Sequence, residues 1–144
     1  MDQVTKYYAV ELLVLHDPVH IYNGLNFTLM YNTGAAFSFL SDAGGWQRWF
    51  FIGISCFVSI IIVIWIYNSL TKSRWLLFAL SFILGGALGN LWDRVILGYV
   101  VDFIEVYYKD LYWPAFNIAD SSITIGAVIL ILDTLLIDRR KDPL

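Results

Sequence analysis

Charge is what this 144-residue chain has least of. Only 15% of its residues are charged, against roughly 25% in an ordinary soluble domain. Its net charge is −3 and no basic stripe runs through it, which excludes nucleic acid as a partner. There is one cysteine, Cys56, inside an apolar run, so no intramolecular disulfide can form. The two histidines, His16 and His20 in HDPVH, are four apart. Pro18 argues against a helix between them, and no cysteine or glutamate cluster completes a metal site. No serine or cysteine has a histidine placed to activate it. Neither a metal nor a cofactor is expected, and no repeat or low-complexity segment stands out.

Apolar residues are abundant instead: 59% of the chain, with 17% aromatic. A single domain of this size cannot hide that much apolar surface from water, but lipid can cover it. A hydrocarbon core about 30 Å thick needs ~20 apolar residues per helix. Residues 49–67 (WFFIGISCFVSIIIVIWIY) carry no charge. Residues 75–92 (WLLFALSFILGGALGNLW) form a second span, and 121–137 (SSITIGAVILILDTLLI) a third, interrupted by Asp133. Residues 1–15 hold a shorter apolar stretch, Val4 to Leu15, which reaches only about 18 Å as a helix at ~1.5 Å per residue. It is read as a partial first helix.

Basic residues set the orientation. Lys72 and Arg74 lie between the first two clean spans, and Arg139, Arg140 and Lys141 follow the third. Both places are expected to be cytoplasmic, with the segments before Trp49 and between Asp93 and Asp120 on the opposite side. That arithmetic requires a further crossing before His16.

From Val19 to Leu40 the helical period disappears. VHIY, Asn23-Gly24, LNFTLMY, Asn32-Thr33-Gly34 and AAFSFL read as short strands and turns, with Asn-Gly a strong hairpin signal. A small sheet on the outer membrane surface is expected, followed by a link at Ser41–Gly45. In the second span Gly85 and Gly89, with Gly86, form a small-xxx-small groove for a neighbouring helix. Its end carries Asn90, Asp93 and Arg94. Asn90 and Arg94 share a face by their i, i+4 spacing, and Asp93–Arg94 is readable as a charge pair marking the helix end.

Two aspartates stand out. Asp102 lies in GYVVDFI without a local partner, and Asp120 lies in FNIADSS before the third span. Asp120 alone reads first as a helix N-cap. Together, at the outer ends of adjoining spans, they read as a site, because ionisable groups in such settings are costly and usually functional. Two close carboxylates cannot both ionise easily. One then activates water and the other donates to a carbonyl oxygen, which suits metal-independent peptide hydrolysis. Asp133, thirteen residues on, lies about 20 Å deeper. Tyr107, Tyr108, Tyr112 and Trp113 read as an interfacial aromatic belt, or as a lid over the site. An ion relay or a non-catalytic scaffold are the rival functions. A relay wants polar residues spread through the membrane, whereas here they cluster at one end.

MDQVTK, YNTGAAFSFL, GGALGNLWDR, GYVVDFI and FNIAD, in this order and spacing, resemble the bacterial lipoprotein signal peptidases (signal peptidase II, prolipoprotein signal peptidase) over essentially the whole chain. The resemblance implies an α-helical polytopic membrane protein: a four-helix bundle with a small periplasmic β-cradle (19–40) and an extramembrane loop helix. Members carry further apolar residues before the DQ pair, so the first helix here looks truncated. The implied activity is that of an aspartic endopeptidase in the bacterial inner membrane, its site toward the periplasm and its C-terminus cytoplasmic. It cleaves before the cysteine of a diacylglyceryl-prolipoprotein and is the target of globomycin-type cyclic peptides. The catalytic pair maps onto Asp102 and Asp120. Substrate-binding positions map onto Asn32, Gly34, Asn90, Asp93, Arg94 and Asn117, and supporting ones onto Asp2 and Lys6. Asn32 and Arg94 are the candidates for holding peptide carbonyls. A monomer is expected.

Overall fold

The computed structural model describes residues 1–34, 44–69 and 73–141, the last six as backbone alone. Its elements run α1 (Asp2–Leu12), β1 (Val19–Tyr22), β2 (Leu25–Asn32), α2 (Trp46–Tyr67), α3 (Arg74–Ile96), β3 (Val100–Tyr108), β4 (Leu111–Tyr112) and α4 (Ile118–Lys141). Among the described residues three helices are long and apolar enough to cross a membrane: Trp46–Tyr67, Arg74–Ile96 and Ile118–Leu135. The chain is thus a multi-pass membrane protein. α1 has 11 residues, about 16 Å at ~1.5 Å per residue.

Each span exceeds its apolar run for the same reason. Hydropathy stops at the first polar residues, but those residues have partners that keep them helical. Arg48, on the first turn of α2, donates from Nε to the Arg94 carbonyl (2.8 Å) and from Nη2 to the Val95 carbonyl (2.7 Å). A cation there satisfies the orphan carbonyls at the α3 C-terminus and meets its negative dipole end. α3 opens on Ser73, whose hydroxyl accepts from Leu76 N, an ordinary N-cap.

α3 is central, packing on α4 along one side and on α2 along the other. Small residues set the α3–α4 approach. A methyl at Gly86 would run into the Ala119 carbonyl and Ile123, and one at Gly126 into the Ala79 carbonyl and Ile83. Gly85, half of the expected groove, has open space around it; Gly86 and Gly89 are the glycines in contact.

The strands form one antiparallel sheet in the order β1-β2-β3-β4. Asn23-Gly24 makes the β1–β2 turn, with Gly24 at φ +95°, a conformation that a side chain would disfavour. AAFSFL and most of the Ser41–Gly45 link lie outside the described residues. So do 70–72, where the loop between the first two spans was expected to be cytoplasmic. Among the described residues no further helix accompanies the sheet as the extramembrane loop helix; 97–117 is strand and turn. α1 covers the sheet, with Ala9, Leu29, Val101 and Phe103 as the buried cluster and Phe27 edge-on to Phe103 at 6.1 Å.

Candidate active site

β3 emerges directly from the turn after α3 and carries Asp102, while α4 begins beside it. Asp120 is not the N-cap of that helix, as the Asp-Ser-Ser sequence suggested. The helix starts three residues earlier, at Ile118, and Asn117 is the capping residue. The Asn117 side-chain oxygen accepts from Asp120 N (2.9 Å), and Asp120 Oδ2 accepts from Asn117 N (3.2 Å). This reciprocal capping box leaves Asp120 in the first turn with its other oxygen facing inward.

Asn117 also joins the two aspartates. Its Nδ2 donates to Asp102 Oδ1 at 2.7 Å, so one fully buried residue bonds both carboxylates. On the far side of Asp102, Asn32 Nδ2 donates to Oδ2 at 3.0 Å. Asn90 Nδ2 donates to Asp120 Oδ1 at 2.7 Å, and Asn90 Oδ1 accepts from Asn117 Nδ2 at 3.1 Å. Asp102, only 2% exposed, thus gains the partners that its own segment lacks. Burial, and next the charge of Asp120, push its carboxyl up to about 7, against the opposing bonds from Asn32 and Asn117 and the charge of Lys6.

Behind these amides lies an ionic layer. Lys6, 3% exposed, donates to Asp93 Oδ2 (2.7 Å), Asp2 Oδ2 (3.0 Å) and Asn90 Oδ1 (2.9 Å). Asp93 also accepts from Gln3 Nε2 (2.8 Å) and Val101 N (3.1 Å), so it ties α1, α3 and β3 together. Asp2 Oδ1 accepts from Ala119 N, a free donor at the start of α4. A buried charge survives only with this degree of compensation.

A cavity of about 670 Å³ opens onto the carboxylates, with Asp102, Asp120, Asn32, Asn90 and Arg94 in its wall and Phe51, Ile54 and Val58 of α2 opposite. Arg94 donates from Nη2 to the Gly34 carbonyl (3.1 Å) and lies 5.1 Å over the Phe51 ring. Its buried Nε has no partner among the described residues.

The structure redistributes several expected roles. Asp93 and Arg94 do not pair with each other: one faces α1 and the other the cavity. Asp93 and Asn117 are buried behind the wall rather than lining it, and Gly34 acts by receiving Arg94. Asn32 lines the cavity with its amide donating to Asp102 and its oxygen accepting from Gly34 N (3.0 Å), which leaves one amide hydrogen unused by these bonds. Asp133 lies apart, bonded to Ser73. His16 contacts Met30 Sδ. Sequence reasoning missed Gln3, Arg48 and Glu105. Gln3 sits inside the MDQVTK block and was discoverable there, whereas Arg48 and Glu105 matter only through contacts distant in sequence.

Comparison with known proteins places this geometry in context. The family model described as Signal peptidase (SPase) II matches residues 1–136. A lipoprotein signal peptidase from Teredinibacter turnerae is 56% identical over 136 residues, 94% of this chain and 80% of the relative. One from Acinetobacter baumannii is 53% identical over 141 residues, 98% of this chain and 80% of the relative. Two solved structures, each a bacterial membrane enzyme studied by the in meso method, share the fold. One has a TM-score of 0.88 at 35% identity, covering 99% of this chain and 85% of its own. The other has a TM-score of 0.79 at 37% identity, covering 93% and 84%.

Proposed function

Since the chain belongs to the signal peptidase II family, and so is a peptidase that removes signal peptides from prolipoproteins, we propose that Asp102 and Asp120 perform the hydrolysis as an aspartic dyad. The observation that carries this reading is the double use of Asn117, which bonds both carboxylates at the wall of one cavity. Asp102, held up to about 7, keeps a proton near neutrality and is the acid. Asp120 accepts hydrogen bonds from Asn90 and from Asn117 N and needs no proton of its own in either contact; it is the base.

In this mechanism Asp120 takes a proton from water as the water oxygen bonds the scissile carbonyl carbon. Asp102 donates to the carbonyl oxygen as it becomes negative. Collapse of the gem-diol breaks the C–N bond as one of its hydroxyls returns a proton to Asp102, and the proton on Asp120 passes to the leaving nitrogen. The Arg94 guanidinium, in the cavity wall, is the group we assign to a peptide carbonyl beside the cleaved bond.

The substrate in this reading is a prolipoprotein whose cysteine carries diacylglycerol, cut just before that cysteine. Phe51, Ile54, Val58 and Ile123 give the cavity an apolar flank on membrane-spanning helices, suited to acyl chains that stay in the bilayer. The lipid then fixes the scissile bond at the depth of the aspartates, turning diffusion into alignment. We further assign the sheet and cavity to the periplasmic face of the inner membrane, the C-terminus to the cytoplasm, and α1 to part of a fourth helix of the bundle. The protein acts as a monomer, needs no metal, and offers the same cavity to globomycin-type cyclic peptides.

The test compares lipidated and unmodified forms of one precursor with the purified protein in the same detergent, the cut located by mass spectrometry. Cleavage before the lipidated cysteine, undiminished by a metal chelator and far faster than with unmodified precursor, is expected. Equal cleavage of both forms would remove the positional role of the lipid, and inhibition by the chelator would overturn the dyad.

A further inference from the structure

A third carboxylate, Glu105, lies in the wall of the same cavity, and the proposed chemistry has no use for it. Its position needs explaining, because successive residues of a strand alternate faces. Glu105 is three residues beyond Asp102 and belongs on the opposite side of β3. The hydrogen bonding supplies the reason. Phe103 N and Ile104 N both donate to one acceptor, the Phe116 carbonyl, at 3.1 and 2.9 Å. Two successive donors on one carbonyl mark a β-bulge, which inserts a residue and re-aims the side chains that follow. The partner strand β2 is irregular at the same level, between Phe27 and Met30. Asp102 and Glu105 therefore reach one cavity from either side of the bulge.

Glu105 is also held in place. Its Oε2 accepts from Asn26 Nδ2 (3.0 Å) and Thr28 Oγ1 (2.9 Å), and both donors are buried, at 8% and 4% exposure. Neither donor carries charge, and neither ion pair found among the described residues involves Glu105. Two neutral donors orient the carboxylate without neutralising it, so its charge remains for whatever enters the cavity.

The strand gives that charge an address. β3 starts beside the end of α3 and leads away from the membrane-spanning helices, so Glu105 lies roughly 10 Å beyond Asp102 at ~3.3 Å per residue. An extended substrate with its scissile bond at Asp102 and its apolar signal segment among the helices places its second or third residue after the cut near Glu105. We propose that Glu105 is a specificity-determining residue that reads charge at this point, favouring a cationic side chain and disfavouring an acidic one. This rests on the reading of the cavity as the substrate site.

The experiment uses lipidated precursors identical except for Lys, Ser or Asp at the second and third positions after the cleaved bond, or at the second and third before it. Wild-type protein is expected to show a Lys-to-Asp ratio in kcat/KM of about three- to fivefold on the far side of the cut, the size of a partly solvated charge pair, carried mainly in KM. Glu105→Gln keeps an acceptor for Asn26 and Thr28 and should bring the ratio to about one. Glu105→Asp, which keeps the charge, should retain part of it, and Glu105→Lys should invert it. A ratio of one in the wild type, a ratio unchanged in Glu105→Gln, or a preference confined to positions before the cut would overturn the proposal. Asp102→Asn separates the two failures. If it still cleaves the Ser precursor, the reading of the cavity has failed. If it is inactive while Glu105→Gln leaves the ratio intact, only the role of Glu105 has failed.

Discussion

α4 carries two aspartates, Asp120 and Asp133, and they have little in common beyond their side chain. Thirteen residues separate them, about 20 Å along the helix. Asp133 accepts a hydrogen bond from the Ser73 hydroxyl at 2.8 Å, the same hydroxyl that caps α3. It is a latch between two helix ends. Asp120 is bonded by α3 through Asn90 and by its own N-cap, faces the cavity, and shares Asn117 with Asp102 on β3. A carboxylate in an apolar helix is thus not informative through its presence alone. What separates the two is how many elements converge on the group and whether a substrate-sized space adjoins it.

The sharpest way to break the comparison is substitution by asparagine, which keeps the shape and removes the acid. Asp102→Asn and Asp120→Asn are each expected to lower turnover by roughly 10³-fold or more, with the folded protein retained in a thermal melt. Retained turnover in either would overturn the dyad, and in Asp120→Asn it would make Asp120 as passive as Asp133.

Next in size is Lys6→Met. It leaves buried Asp93 with only the neutral donors Gln3 and Val101 N, and losing one partner of a buried pair costs about 3–5 kcal/mol. A melting temperature lowered by several degrees, together with reduced turnover, is expected. An unchanged melt would show that the ionic layer behind Asn90 is dispensable.

pH gives a gentler probe. An ordinary aspartate loses its proton near 3.8, whereas Asp102 keeps it to about 7. Turnover should therefore fall as pH rises through about 7. The same difference makes the folded state bind the extra proton, so this group's contribution to stability declines between about pH 4 and 7 and is flat above. Asn32→Leu removes a bond that favours the ionised form, so the alkaline fall should move to higher pH. A pH–rate profile that did not move would detach Asn32 from Asp102.

The smallest effect belongs to Asp133→Asn. The Ser73 hydroxyl keeps an acceptor, so turnover should stay within about twofold and stability within ~0.5 kcal/mol. A large loss of turnover would erase the distinction between the two ends of α4.

What could be read in advance followed from signals confined to short windows. The three spans came from unbroken apolar runs, the β1–β2 turn from Asn23-Gly24, and the aspartate pair from two charges in apolar surroundings. What escaped depended on residues distant along the chain. The cap moved from Asp120 to Asn117 because Asn117 and Asp120 bond reciprocally, a preference that a single Asp before Ser-Ser does not reveal. Arg48 lies just outside the apolar run that starts at Trp49, and its role follows only from the α3 terminal carbonyls beside it. Asp93 and Arg94, neighbours in sequence, are readable as a charge pair as well as site residues. Successive helical residues point about 100° apart, so each found its own partner. Glu105 was invisible because strand alternation assigns it to the wrong face, and only the bulge corrects that.

Asn117 has a consequence for how this site comes into being. The residue that starts α4 is also the crosspiece between the two acids, so winding the first turn of the helix and assembling the dyad are one event. A slip of α4 by a single residue would lose its cap and scatter the carboxylates together, which makes a well-formed but misaligned site hard to reach. Such a site is switched off by anything that unravels one helical turn, even from outside the cavity. A compound that competes for the Asn117 side chain or wedges beside Ala119 would disarm the protein without resembling its substrate.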